Sequence, residues 1–131
     1  MNAPATDIVA LLDGASALGL TQGTDLFISV LPESPDAAVA AFDYSGEDPE
    51  WNVEYWRPSV QVRVRGARED YETAYQLAIA IRNYLMASHN TVVNGTKYII
   101  IGAKGDIHYL GRDANARPEL SLNFSIHRTT T

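Results

Sequence analysis

The sequence predicts an α+β domain, an antiparallel or mixed β-sheet with two α-helices packed on one face. Three observations point there. Strict alternation of apolar and polar residues marks Ser59–Arg65 and Leu120–His127 as half-buried strands. Apolar recurrence at helical spacing marks Asp7–Leu18 and Arg68–Ala87 as amphipathic helices. The Asn94-Gly95 pair between two β-prone runs marks a hairpin, because a two-residue type I′ turn needs positive φ at both central positions.

Taken in order, Ile8, Val9, Leu11, Leu12, Ala15 and Leu18 form the stripe of the first helix, with Thr6 or Asp7 available to cap its free amides. Leu26–Leu31 is an apolar strand stopped by Pro32, and Val39–Phe42 is a weaker strand after the Pro35-Asp36 turn. Asp43–Arg57 reads as a long loop rich in carboxylates, yet it holds Tyr44, Trp51, Tyr55 and Trp56. A solvated linker has little use for two tryptophans, so this loop either folds back on the domain or docks against another chain. In Ser59–Arg65 the valines point one way and Gln61, Arg63 and Arg65 the other. The long helix follows, with Glu69, Asp70 and Glu72 near its positive end and an inner stripe of Tyr71, Ala74, Tyr75, Ala78, Ile81 and Leu85. Thr91–Val93 turns through Asn94-Gly95 into Lys97–Ile101, a second polar loop spans Gly102–Pro118, and Leu120–His127 is the last strand. The outer face of the sheet thus carries Gln61, Arg63 and Arg65 from one strand and Ser121, Asn123, Ser125 and His127 from another. Two readings suit it: an ordinary solvated face, or a surface that meets neighbouring subunits or lines an opening.

Composition narrows the function. A chain of 131 residues, 46% of them hydrophobic, supports one core and one domain over residues 1–131. No run approaches the roughly 20 apolar residues of a membrane span, and the first residues lack the basic flank of a secretory signal, so the chain is expected to be soluble and unprocessed. Cysteine is absent, which removes disulfides, thiolate metal sites and thiol catalysis. A net charge of −6 argues against coating nucleic acid through counterion release.

Motifs for catalysis are missing. His89, His108 and His127 have no partner at metal-ligand spacing. Where a metal-dependent nuclease would place Glu-x-Lys on a strand, this chain has Gln61-Val62-Arg63, so an ion would lack its second anionic ligand. Gly-x-Ser-x-Gly is absent, and Gly102-Ala103-Lys104-Gly105 lacks the spacing of a phosphate-binding loop. Arg112, Asp113, Arg117 and Glu119 read as ion pairs or as a partner surface rather than as a catalytic cluster. No enzyme activity, cofactor or metal is expected.

Five segments carry a resemblance: Leu26–Pro32, Pro49–Tyr55, Pro58–Gly66, Tyr71–Tyr75 and Leu110–Leu120. Together, and in this order, they are similar to the tail-terminator proteins of long-tailed bacteriophages, many of which are labelled minor capsid proteins. The most specific are the Pro-x-Val-Gln-Val strand before a Tyr-rich helix and the Leu-Gly-Arg-Asp loop before the final strand. The likeness spans about Leu26 to Arg128; the first 20 residues carry little of it, and the bulky Trp56 departs from it. It implies a structural virion protein of the head–tail junction, assembled in the bacterial host cytoplasm. Such proteins form a ring, usually a hexamer, that binds the last ring of tail tube protein, ends polymerisation and offers its other face to head-completion proteins. DNA would only pass through transiently, and no membrane is involved. The candidate assembly interface is Trp51, Tyr55, Trp56, Arg63, Arg65, Tyr109, Arg112, Asp113 and Arg117, because interface cores favour Trp, Tyr and Arg. Arg63 and Arg65 would pair with carboxylates of an adjacent subunit or face the lumen, the former preferred. The competing classes are a head-completion or stopper connector and an unrelated ligand-binding α+β domain.

Overall fold

A computed structural model describes residues 1–49 and 52–130, so Trp51 lies outside the described residues. Helix α1 spans Pro4–Asp13 and is followed by a 3-10 turn at Ser16–Leu18. It starts earlier and ends sooner than its apolar stripe suggested. Proline at the first helical position has φ already set and no amide to satisfy, and neither Thr6 nor Asp7 caps the helix. The Ala5 amide instead donates to Asp43 Oδ1 at 2.8 Å, a cap supplied from a distant strand.

The strands are β1 Leu26–Ile28, β2 Ala38–Glu47, β3 Tyr55–Arg65, β4 Thr91–Val93, β5 Thr96–Ala103, β6 His108–Arg112 and β7 Pro118–Thr130, with α2 at Tyr71–Ala87 between β3 and β4. Strand β1 is shorter than the apolar run because Ser29 turns to φ 59°. Both expected long loops are corrected. Asp43–Arg57 contains the outer halves of β2 and β3, paired from Asp43↔Val60 to Glu47↔Arg57 across a bulge. Gly102–Pro118 contains β6, which pairs with β7 from His108↔Ser121 to Arg112↔Pro118. Helix α2 begins after Asp70, whose side chain accepts from the Thr73 amide at 3.2 Å, and so starts later than Arg68. The Asn94-Gly95 hairpin forms as expected, with φ of 49° and 80° at its two turn residues.

The sheet of the described residues has seven strands in the order β1-β2-β3-β7-β5-β4, with β6 also on β7. It is mixed: β1 runs parallel to β2, and the other pairs are antiparallel. Strand β7 is central, giving one edge to β3 and sharing the other between β5 and β6. Because side chains alternate across the pleat, Val60, Val62 and Val64 share one face with Leu120, Leu122, Phe124 and Ile126. Helices α1 and α2 cover this face, and Ile8, Leu12, Ala74, Ala78, Ile81 and Leu85 complete the buried core. Each such aliphatic or aromatic side chain larger than alanine contributes about 1.5–3 kcal/mol on full burial. Tyr71, expected in the inner stripe, is exposed instead, since it stands in the first turn of α2 beyond the edge of the core.

The candidate assembly surface

The face without helices collects Phe42 and Tyr44 from β2, Ser59, Gln61, Arg63 and Arg65 from β3, and Ser121, Asn123, Ser125 and His127 from β7. At its middle a cavity of about 300 Å³ is lined by Phe42, Asp43, Tyr44, Gln61, Arg63 and Asn123. Its walls are ordered by side-chain bonds. Asn123 Oδ1 accepts from Gln61 Nε2 at 3.2 Å and from the Tyr44 hydroxyl at 3.3 Å, while Gln61 Oε1 accepts from Arg63 Nε at 2.8 Å. Two cations rest on its aromatic rings: the Arg63 guanidinium lies 5.1 Å from the Phe42 centroid, and Lys104 Nζ 6.0 Å from that of Tyr44. Among the described residues neither cation has an ion pair with a carboxylate.

Arg65, expected beside Arg63 on the polar face, is only 3% exposed. The segment 32–36 folds over it, so its guanidinium donates to the carbonyl oxygens of Pro32, Pro35 and Asp36. Burial, and after it the neighbouring charge of Arg117, lower its pKa from the ordinary arginine value. Arg117 is equally buried and holds the same segment from the other side. It donates to Asp113 Oδ2 at 2.8 Å and to the Glu33 carbonyl at 2.6 Å, and pairs with the carboxylates of Glu33 and Asp36 at 3.3 Å. Burial opposes the charge on Asp113, yet hydrogen bonds from Arg117 and from the Asn115 amide hold its carboxyl below the usual range. Burial likewise opposes the charge on Arg117, and the bonds to Asp113 outweigh it and raise its pKa. Arg65, Asp113 and Arg117 therefore meet in one corner whose bonds lie inside the chain. Arg112 stands next to it, exposed, and pairs with Glu69 at 2.6 Å.

The remaining candidates are dispersed. Tyr55 is half-buried and shares a 2.7 Å hydrogen bond with His127 Nδ1. Trp56 points to the other side of the hairpin and lines a second cavity, of about 330 Å³, with Pro4, Pro49 and Arg128. Tyr109 is exposed on β6 and meets Tyr71 edge to face, with ring centroids 5.1 Å apart. Phe42, Tyr44 and Lys104 line or overhang the open-face cavity without having been candidates; the i, i+2 spacing of Phe42 and Tyr44 is the signal that could have found two of them. No group of three or more His, Asp or Glu residues among those described could hold a metal ion, and no helix is long and apolar enough to cross a membrane.

No curated protein matches the sequence. One solved structure, "Virion of native gene transfer agent (GTA) particle", contains a chain that matches over 97% of this chain and 95% of its own, at 13% identity and a TM-score of 0.73. A second solved chain aligns over 98% of both chains at 12% identity and a TM-score of 0.55. At such identities these likenesses concern the fold. The model of one protein family, described as "Bacteriophage tail terminator protein", matches residues 15–130. That span contains every strand and α2; the chain accordingly belongs to the bacteriophage tail terminator family, whose role is structural, in the tail of the virion.

Proposed function

We propose that the protein closes into a ring, a hexamer as the family resemblance implies, at the head-proximal end of the tail tube. There it binds the last ring of tube protein, stops polymerisation and presents its opposite side to a head-completion protein. The family match over residues 15–130 carries this reading. The unlike surfaces of the subunit support it, because head-to-tail closure needs two different complementary patches on each copy. The solved neighbour, a chain of a virion particle, supports a place in the assembled particle. DNA passes through without being held, which suits a chain of net charge −6.

Within this reading Trp51, Tyr55, Trp56, Tyr109 and Arg112 are the candidates for direct contact with partners. Arg65, Asp113 and Arg117 serve by fixing the loops beside Arg112. The test is to add the protein to polymerising tube protein and measure tube lengths by electron microscopy. Tubes should stop at short, capped lengths, whereas a stopper connector would leave tube growth unaltered. Unchanged tube length at saturating protein overturns the proposal.

A further inference from the structure

We infer that the open-face cavity of one subunit receives the acidic β2–β3 hairpin of a second copy, with the carboxylate of Asp48 seated against Arg63. This deepens the ring reading and rests on it. The cavity suits an anion: of its two charged lining residues, Asp43 already accepts from the Ala5 amide at 2.8 Å, and Arg63 has no carboxylate partner among the described residues. Arg63 spends only Nε on Gln61, which leaves both terminal nitrogens of its fork for a carboxylate. Stacking on Phe42 limits where the guanidinium can go, and Lys104 over Tyr44 adds a second positive charge at the rim.

The same chain carries the complement. From Asp43 through Pro49 every residue is exposed, so the β2 side of the hairpin is open to solvent and within reach of a second copy. Glu47, Asp48, Glu50 and Glu54 lie within eight residues of sequence that contain no lysine or arginine. Glu47 is neutralised by Arg57 at 3.2 Å and Glu54 accepts from the Thr130 hydroxyl at 2.6 Å. Asp48, by contrast, gives only its backbone carbonyl, to Arg57, so among the described residues its carboxylate is uncommitted. Copies of a chain with charge −6 repel at long range, so their contact calls for a local pairing of opposite signs. An acidic arm on one copy and a basic cavity on the next are different patches, as a closing heterologous contact demands.

The experiment compares wild type, Arg63→Glu, Asp48→Arg and the double variant, each checked for an unchanged urea midpoint. Self-association is read by mass photometry, and tube capping by electron microscopy. Each single variant should weaken association roughly tenfold or more, and the double variant, which restores an opposite-sign pair, should recover most of it. If wild type assembles and both single variants match it, or if the double variant fails to recover, the pairing is overturned and the ring reading stands. If wild type neither self-associates nor caps tubes, the ring reading falls and takes the pairing with it. Loss of DNA binding in Arg63→Glu with assembly intact would assign the cavity to phosphate instead and also overturn the pairing.

Discussion

Asp7 is a carboxylate with no exposed surface, and its oxygens accept from the Tyr98 hydroxyl and from Asn94 Nδ2, the latter at 2.8 Å. Arg128 completes the group, donating to Tyr98 at 3.2 Å and to the Asn2 carbonyl at 2.8 Å. Four distant residues thus pin α1 to the Asn94-Gly95 hairpin and to β7. Removing the acceptor strands buried donors, so Asp7→Ala should cost about 2–4 kcal/mol, read from urea unfolding. Burial, then the bond to Asp7, push the Tyr98 hydroxyl above its ordinary value of 10.0. A raised folded-state value means that the stabilisation is complete below that ordinary value and is lost as pH rises beyond it. Unfolding free energy should therefore fall above about pH 10, and Tyr98→Phe should flatten that decline while lowering stability at neutral pH. Asp113 gives the opposite sign: its depressed folded-state value adds stability at neutral pH that is lost in acid, below the usual carboxylate range. Asp113→Asn should reduce the acid sensitivity of the urea midpoint. None of these roles was legible locally. Asp7 and Arg65 stand in sequence where a helix cap and an outward strand residue belong; what buries them comes from residues far away in the chain.

At the scale of elements, the β2–β3 hairpin is the main departure from the sequence reading. Its inner half alternates visibly because one side meets the core. In the outer half residues 43–47 of β2 are all exposed and residues 55–58 of β3 are all half-buried, so neither run alternates, and polar side chains and prolines imitate a loop. Packing at Gly46 holds this half together. A Cβ there would lie 2.0 Å from the Arg57 carbonyl oxygen and 2.6 Å from Pro58 Cα, both backbone atoms with nowhere to retreat. Gly46→Ala should open the pair at the bulge, costing roughly 1–3 kcal/mol and speeding hydrogen exchange in residues 44–47 and 55–59 while the core strands stay protected. Where one face was buried, as in β3, β7 and α2, the apolar periodicity located the element and, apart from Tyr71 at the start of α2, its inner residues, and the Asn94-Gly95 turn was legible from two residues alone. Strand β6 was hidden for the same reason as the hairpin, since three of its five residues, His108, Tyr109 and Leu110, are consecutive and exposed.

For the molecule as a whole, the charge of −6 resolves into an acidic arm and a cavity overhung by Arg63 and Lys104. If copies join through these parts, raising salt above about 0.15 M, where the screening length is about 8 Å, should weaken self-association measured by mass photometry. An interface held by aromatic burial alone would be unchanged or strengthened. The likeness to a family was readable in the order of short segments, but the cavity was not, because it exists only when β2, β3 and β7 are in register.

Strand β7 is the middle of the sheet, yet it is made after every strand it joins. Until residues 118–130 leave the ribosome, β3 and β5 each present an unpaired edge, and only the helices and the bonds of Asp7 to Asn94 and Tyr98 can link the two halves of the core. Such long-range pairing is slow and leaves the nascent chain prone to edge-to-edge association. During synthesis the chain is therefore an unfinished sheet, and the strand that completes it also closes the two open edges that need shielding.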